Sequence, residues 1–181
     1  HSPDQHEAGV EPDILVTGKG LSGGVYPIAA TCYRAELNRF MHDNPFIHIS
    51  TFGGAEVGCS VALTVLDLTA DPSFLQRTNE LAERFASGFQ LLMARYPETL
   101  VETRQLGLMI GLVLHDETCG PLMTKLLSEE GVLAIYANND QRVLQFLPPL
   151  IMSDLEAEET LAALDRALAT QSRLRGWRII H

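Results

Sequence analysis

The sequence predicts a mixed α/β fold, and three observations predict it. Short apolar runs such as Pro12 to Thr17 stop at glycine-rich turns, as buried strands do. Phe74, Leu75, Thr78, Leu81, Phe85, Phe89 and Leu92 recur at helical spacing and mark one long amphipathic helix. Beyond that helix, strand-like and helix-like stretches alternate to the end of the chain.

Taken in order, Pro12 to Thr17 reads as a buried strand of a parallel sheet, and Gly18 to Gly24 as the turn that ends it. Tyr26 to Tyr33 reads as a second strand, because Pro27 suits an extended start and not a helix interior. Met41 to Gly54 has loop composition, and such loops carry binding groups more often than core packing. A helix is expected over Glu56 to Leu68. The long helix follows, with Asp71 able to cap it and Pro72 in its first turn, and runs to about Tyr96. Leu100 to Arg104 and Gly107 to His115 read as strands, Cys119 to Glu130 as a helix, and Val132 to Ala137 and Val143 to Leu147 as further strands. Ser153 and Glu156 form a capping box ahead of Leu155, Leu161, Leu164 and Leu168, which predicts a last helix.

Composition narrows the function classes. The chain has 181 residues, 46% hydrophobic and 20% charged, which is ordinary globular composition, so disorder is not expected. Thirteen Lys and Arg against twenty-three Asp and Glu leave a net charge of −10, which disfavours nucleic acid or an anionic membrane surface as partner and leaves a small molecule. The longest apolar run, Leu108 to Leu114, is far short of a membrane span. Cys32, Cys59 and Cys119 are odd in number and widely spaced, which speaks against a disulfide framework or a structural zinc site and fits a reducing cytoplasm. The six histidines are scattered, and no metal site is expected. The first residues, His1 to His6, offer neither an initiator Met nor a signal peptide, so a segment upstream is expected.

The chemistry concentrates at Gly18-Lys19-Gly20-Leu21-Ser22-Gly23. This matches G-x-G-x-x-G after a strand, but a dinucleotide site needs a helix to begin at the third glycine, and Gly23-Gly24-Val25-Tyr26-Pro27 is a poor helix start. The lysine is the unusual feature, because the chain has only two, Lys19 and Lys125. Lys125 falls mid-helix on a solvated face. Lys19, between two glycines after a buried strand, would be partly desolvated and its amine made nucleophilic, as a Schiff-base lysine requires. A surface lysine in a flexible turn is the plain alternative.

The segment EPDILVTGKGLSGGVYPIAA closely resembles the lysine segment of the class III, or ornithine/acetylornithine-type, aminotransferases. FIHISTFGG (Phe46 to Gly54) is similar to that family's S-T-F-G-G loop, TRQLGLMIGL (Thr103 to Leu112) to its R-G-x-G-L-M-I-G strand, and VLQFLPPLI (Val143 to Ile151) to its V-L-R-F-L-P-P-L-I segment. Order and spacing match over nearly the whole chain.

The resemblance implies an α/β fold of type I, with residues 1–75 as the C-terminal part of the cofactor-binding large domain and 76–181 as a small C-terminal α/β domain. It implies pyridoxal 5'-phosphate as cofactor, held as a Schiff base by Lys19, the catalytic residue. Thr51 would contact the cofactor phosphate of the neighbouring subunit of a homodimer, with Ser50 offering a second hydroxyl. The implied reaction moves an amino group from an amino acid, ω-amino acid or diamine to a 2-keto acid. The family's remaining cofactor contacts lie upstream of the lysine, so the chain reads as a piece lacking the N-terminal half and inactive alone.

Departures from the family pattern bear on the substrate. Gln105 replaces a usual glycine and Ala55-Glu56 a usual Asn-Pro. Gln145 stands where many members carry the arginine that grips the substrate α-carboxylate, and a neutral amide does not reproduce that grip. A diamine or ω-amino donor is therefore expected, with Arg142 as a possible but weaker substitute. Rival readings are an aminomutase of the same fold, a dinucleotide-binding module and a non-catalytic remnant.

Overall fold

A computed structural model describes residues 11–179. The chain divides into two compact units, His1–Asp71 and Pro72–His181.

In the first unit, β1 (Ile14–Thr17) pairs antiparallel with β2 (Ala30–Tyr33), Thr17 opposite Ala30. A 3-10 turn, Lys19–Ser22, leaves the end of β1. Two findings differ from the sequence reading. β1 is not a buried strand of a parallel sheet: its only partner among the described residues is antiparallel, and Ile14 and Val16 are exposed. The second strand is shorter than expected, since Tyr26 to Ala29 run outside any ladder. A short helix α1 (Arg39–Asp43) reaches into the loop expected from Met41 onward, and residues 45–54 are mostly turns. Helix α2 (Glu56–Thr69) closes the unit, one residue longer than expected.

The second unit is built around α3 (Pro72–Arg95). Leu81, Phe85, Phe89 and Leu92 fall on one stripe of this helix and are all buried. They pack on a four-stranded antiparallel sheet of order β3-β4-β6-β5, formed by β3 (Leu100–Leu106), β4 (Met109–Leu114), β5 (Ile135–Tyr136) and β6 (Val143–Phe146). β3 and β4 form a hairpin through Gly107, whose φ of 55° suits glycine. Phe146 meets Phe85 and Phe89 edge-on, at centroid distances of 5.1 and 5.3 Å. Such contacts add roughly 0.5–1.5 kcal/mol each beyond the area they bury. β5 keeps only two residues of the run expected over Val132 to Ala137, as it is the edge strand with one neighbour.

Two further helices cover the same face. In α4 (Cys119–Glu129), Met123, Leu126 and Leu127 are buried; in α5 (Asp154–Ile179), Ala157, Leu164 and Leu168 are. Leu155 is exposed, although the sequence grouped it with Leu164: nine residues at ~100° each set it on the opposite face. Gln171, fully buried, donates from Nε2 to the Cys119 carbonyl at 3.0 Å and ties α5 to the start of α4. Asp154 accepts from Arg77 at 2.7 Å and Arg84 at 3.1 Å, and Tyr96 donates to Asp165 at 2.7 Å, so α3 and α5 are stitched at both ends. These partly exposed ion pairs each contribute at most about 1 kcal/mol, so apolar packing carries the unit. No helix among the described residues is long and apolar enough to cross a membrane.

The capping box forms as expected. The Ser153 N–H and Oγ–H both donate to Glu156 at 2.8 Å, and the Glu156 N–H donates back to Ser153 Oγ at 3.2 Å. The Ser153 backbone N–H, then its hydroxyl, hold the Glu156 carboxyl below its ordinary value of 4.5.

Two stability tests follow from these contacts. A β-carbon at Gly120 would stand 1.8 Å from the Gln141 carbonyl oxygen, whereas one at Gly88 would meet only the movable end of Leu161 at 2.6 Å. Gly120→Ala should destabilise the chain by at least about 2 kcal/mol in urea unfolding, and Gly88→Ala by much less. Because the folded-state value of Glu156 is depressed, its capping contribution is complete above about 4.5 and fades as pH falls through that lowered value. The stability gap between wild type and Glu156→Gln should therefore hold well above pH 4.5 and shrink as pH falls below it.

Candidate functional site

Lys19 opens the 3-10 turn at the end of β1, and its φ of 48° makes it the only non-glycine residue in the left-handed region among the described residues. An L-residue held there is strained, and such strain gathers at functional sites. The surroundings hold it in place. Gly18 N-caps the turn in extended conformation and accepts from Leu21 N–H at 3.1 Å; Gly23 closes it at φ 58°, donating to the Gly20 carbonyl at 3.0 Å. Ser22 is buried and its hydroxyl donates to the Tyr26 carbonyl.

Helix α2 backs this turn. A β-carbon at Gly58 would lie 2.9 Å from the Tyr26 ring and 3.3 Å from Ile28, so Gly58 is what lets the chain leaving the turn lie against the helix. Val65, two turns along, comes within 3.4 Å of a β-carbon built on Gly23. The sequence reading passed over Ser22, Tyr26 and Gly58 as positioning residues. A glycine inside an apolar helix was the available signal.

The Lys19 side chain is exposed and makes no hydrogen bond or ion pair among the described residues. The desolvation expected for it is therefore not supplied by this chain's own residues. Nothing stands within 4 Å of a β-carbon at Gly20 or Gly24, so the turn around the lysine is not crowded at those glycines. Lys125, by contrast, lies on the solvated face of α4 and pairs with Glu129 at 3.7 Å. Gly23 leads into Gly24 at φ 80° and then an extended segment, not a helix, so the turn lacks the helix N-terminus that a dinucleotide pyrophosphate needs.

Ser50 and Thr51 lie exposed in the run of turns before α2. The Ser50 carbonyl accepts from Gly53 N–H at 3.4 Å, and a β-carbon at Gly53 would press on the exposed Ser50 side chain at 3.0 Å. No described hydrogen bond joins either hydroxyl to Lys19.

Gln145 belongs to the second unit, on β6. Cross-strand pairing sets Arg104, Gly111, Gln145 and Ile135 in one row over the sheet, on the face away from the helices. Arg142 does not stand free: its Nε and Nη2 both donate to Asp140, at 3.0 and 2.9 Å, which lowers the Asp140 carboxyl below its usual range. Arg104 is held the same way by Glu102 at 3.0 and 2.9 Å. Among the described residues no group of three or more His, Cys, Asp or Glu is placed to hold a metal.

Comparison with known proteins follows the same order of segments. The class-III aminotransferase profile matches residues 4–168. An uncharacterized aminotransferase of Archaeoglobus fulgidus is 47% identical over 166 residues, covering 92% of this chain and 39% of that protein. The acetylornithine aminotransferase of a Nostoc species is 38% identical over 166 residues, covering 90% of this chain and 37% of that one. Among solved structures, the ornithine aminotransferase of Toxoplasma gondii, with partial occupancy of PLP at its active site, superposes with a TM-score of 0.80 at 29% identity, over 91% of this chain and 38% of its own. The chain thus spans well under half the length of these relatives, and shares the α/β fold of the transaminase.

The left-handed backbone at Lys19 is directly testable. Lys19→Gly should be more stable than Lys19→Ala by about 1 kcal/mol in urea unfolding, because only glycine takes that conformation without strain.

Proposed function

Because the chain belongs to the class III aminotransferase family, we propose that the whole protein is a pyridoxal-phosphate-dependent aminotransferase, with this chain as its C-terminal portion. The observation that carries the reading is Lys19: one of two lysines, held in a strained turn, exposed and uncommitted among the described residues. An uncommitted amine is what covalent capture of an aromatic aldehyde needs, and the desolvation that activates it would come from residues outside this chain. Pyridoxal phosphate, when bound, supplies the electron sink for amino-group exchange.

The residues of this chain have the other roles. Lys19 Nζ would hold the cofactor and, when free, would carry a proton to and from the carbon that bears the substrate nitrogen. The strained turn limits where that nitrogen can travel. The hydroxyls of Thr51 and Ser50 donate to the cofactor phosphate, Thr51 across the interface of a homodimer. Gln145, a neutral amide, favours an ω-amino acid or diamine over an ordinary α-amino acid as donor, with a 2-keto acid as acceptor and ping-pong kinetics. Residues 1–75 are assigned to the cofactor-binding large domain and 76–181 to the small domain, with the remaining cofactor contacts outside these 181 residues. The exposed free thiol of Cys32 suits a reducing compartment, and the cytoplasm is the proposed location.

Borohydride reduction of the complete protein after incubation with pyridoxal phosphate, followed by peptide mass mapping, tests the anchor. A pyridoxyl mass is expected on Lys19 and not on Lys125, and label on neither refutes the reading. Lys19→Ala should lower turnover by roughly 10²–10⁴-fold or more, since both anchor and proton carrier are lost.

A further inference from the structure

Among the described residues of the first unit only Ser22, Gly58 and Ala62 are buried, and they lie along one seam. Gly58 and Ala62 stand one turn apart on α2, and Val65 continues the same face. That face meets the chain on either side of the lysine turn. A β-carbon built on Gly58 falls 2.9 Å from two atoms of the Tyr26 ring, and one built on Gly23 falls 3.4 Å from Val65. The seam is where the lysine turn leans on a regular element.

A short relay connects this seam to Lys19. The Ser22 hydroxyl donates to the Tyr26 carbonyl, and Ser22 ends the 3-10 turn that Lys19 begins. Leu21 N–H donates to Gly18 and Gly23 N–H to Gly20, so the buried hydroxyl and the lysine stand at the two ends of one tight turn. Tyr26 has little room to give way: its rigid ring moves about two torsions, and Pro27 holds its backbone extended. A methyl group at position 58 would push the ring, and with it the carbonyl bonded to Ser22, about 0.5 Å or more before ordinary contact is restored.

From this arrangement we propose that Gly58 and Ser22 are positioning residues that set the reach of the Lys19 amine, so that α2, and not the turn alone, fixes where Nζ meets an aldehyde held by the rest of the protein. The inference rests on the aminotransferase reading and deepens it. Capture forms a C=N bond between Nζ and the aldehyde carbon, and the carbonyl oxygen leaves as water. Borohydride then gives that carbon a hydride, and solvent gives the nitrogen a proton. Capture of an aldehyde held in place depends on where the amine stands, whereas capture of a freely diffusing one does not.

The test compares two aldehydes on the complete protein freed of cofactor. One set of samples receives pyridoxal phosphate and is trapped with borohydride at timed intervals; the other receives formaldehyde and cyanoborohydride, with Lys125 in the second unit as internal reference. Gly58→Ala should slow pyridoxyl labelling of Lys19 at least about tenfold and leave its methylation relative to Lys125 unchanged. Adding Tyr26→Ala, which removes the crowded ring, should restore most of the labelling rate. Ser22→Ala keeps the packing and loses the hydroxyl, so it should slow labelling in the same selective way, and it carries the test if Gly58→Ala does not fold. The proposal is overturned by a wild-type labelling rate in either folded variant, by an equal fall in methylation, or by no rescue from Tyr26→Ala. Label on wild-type Lys19 with unchanged variants refutes the seam alone, whereas no label on wild-type Lys19 overturns the aminotransferase reading together with it.

Discussion

Phe146 is the residue on which the geometry of the second unit turns. Its ring meets the stacked pair Phe85 and Phe89 edge-on and fixes which face of β6 meets the helices. Successive residues on a strand point to opposite faces, so burying Phe146 and Leu144 sends Gln145 outward. A slip of one residue would exchange the three and place an unpaired amide in the core. Packing and chemistry therefore share one constraint: the register that maximises aromatic burial is also the one that aligns Arg104, Gly111 and Gln145.

The first unit solves a different problem. It must hold one lysine at a strained backbone angle, and it does so with turn hydrogen bonds, a buried serine and a helix that presents a glycine to the chain leaving the turn. None of these contacts is strong alone. Together they leave Lys19 little choice of backbone direction while its side chain stays open to a ligand.

The second unit was well legible in the sequence, because its signals are local. The stripe of Leu81, Phe85, Phe89 and Leu92 and the capping box at Ser153 each depend on neighbours in the chain, and each took the expected form. What sequence did not yield depends on partners distant in the chain or outside it. The expectation of a parallel buried β1 rested on its apolar run, and hydrophobicity does not say which strand lies beside it. Leu155 was misjudged because a leucine count ignores helical phase. Arg104 was visible only as one letter of a motif, since its place opposite Gly111 appears once strand pairing is known. Lys19 stood out by scarcity and by its glycines, but its left-handed angle is a property of the folded turn.

That scarcity has a consequence for selectivity. The chain carries its positive charge on eleven arginines and two lysines. Guanidinium groups stay protonated and do not condense with aldehydes under ordinary conditions, whereas lysine amines do once they lose a proton. An aldehyde meeting this surface finds few side-chain amines to divert it, and the one other lysine, Lys125, is engaged in an ion pair with Glu129. The composition thus acts as a chemical filter, sparing the rest of the surface from stray carbonyl adducts.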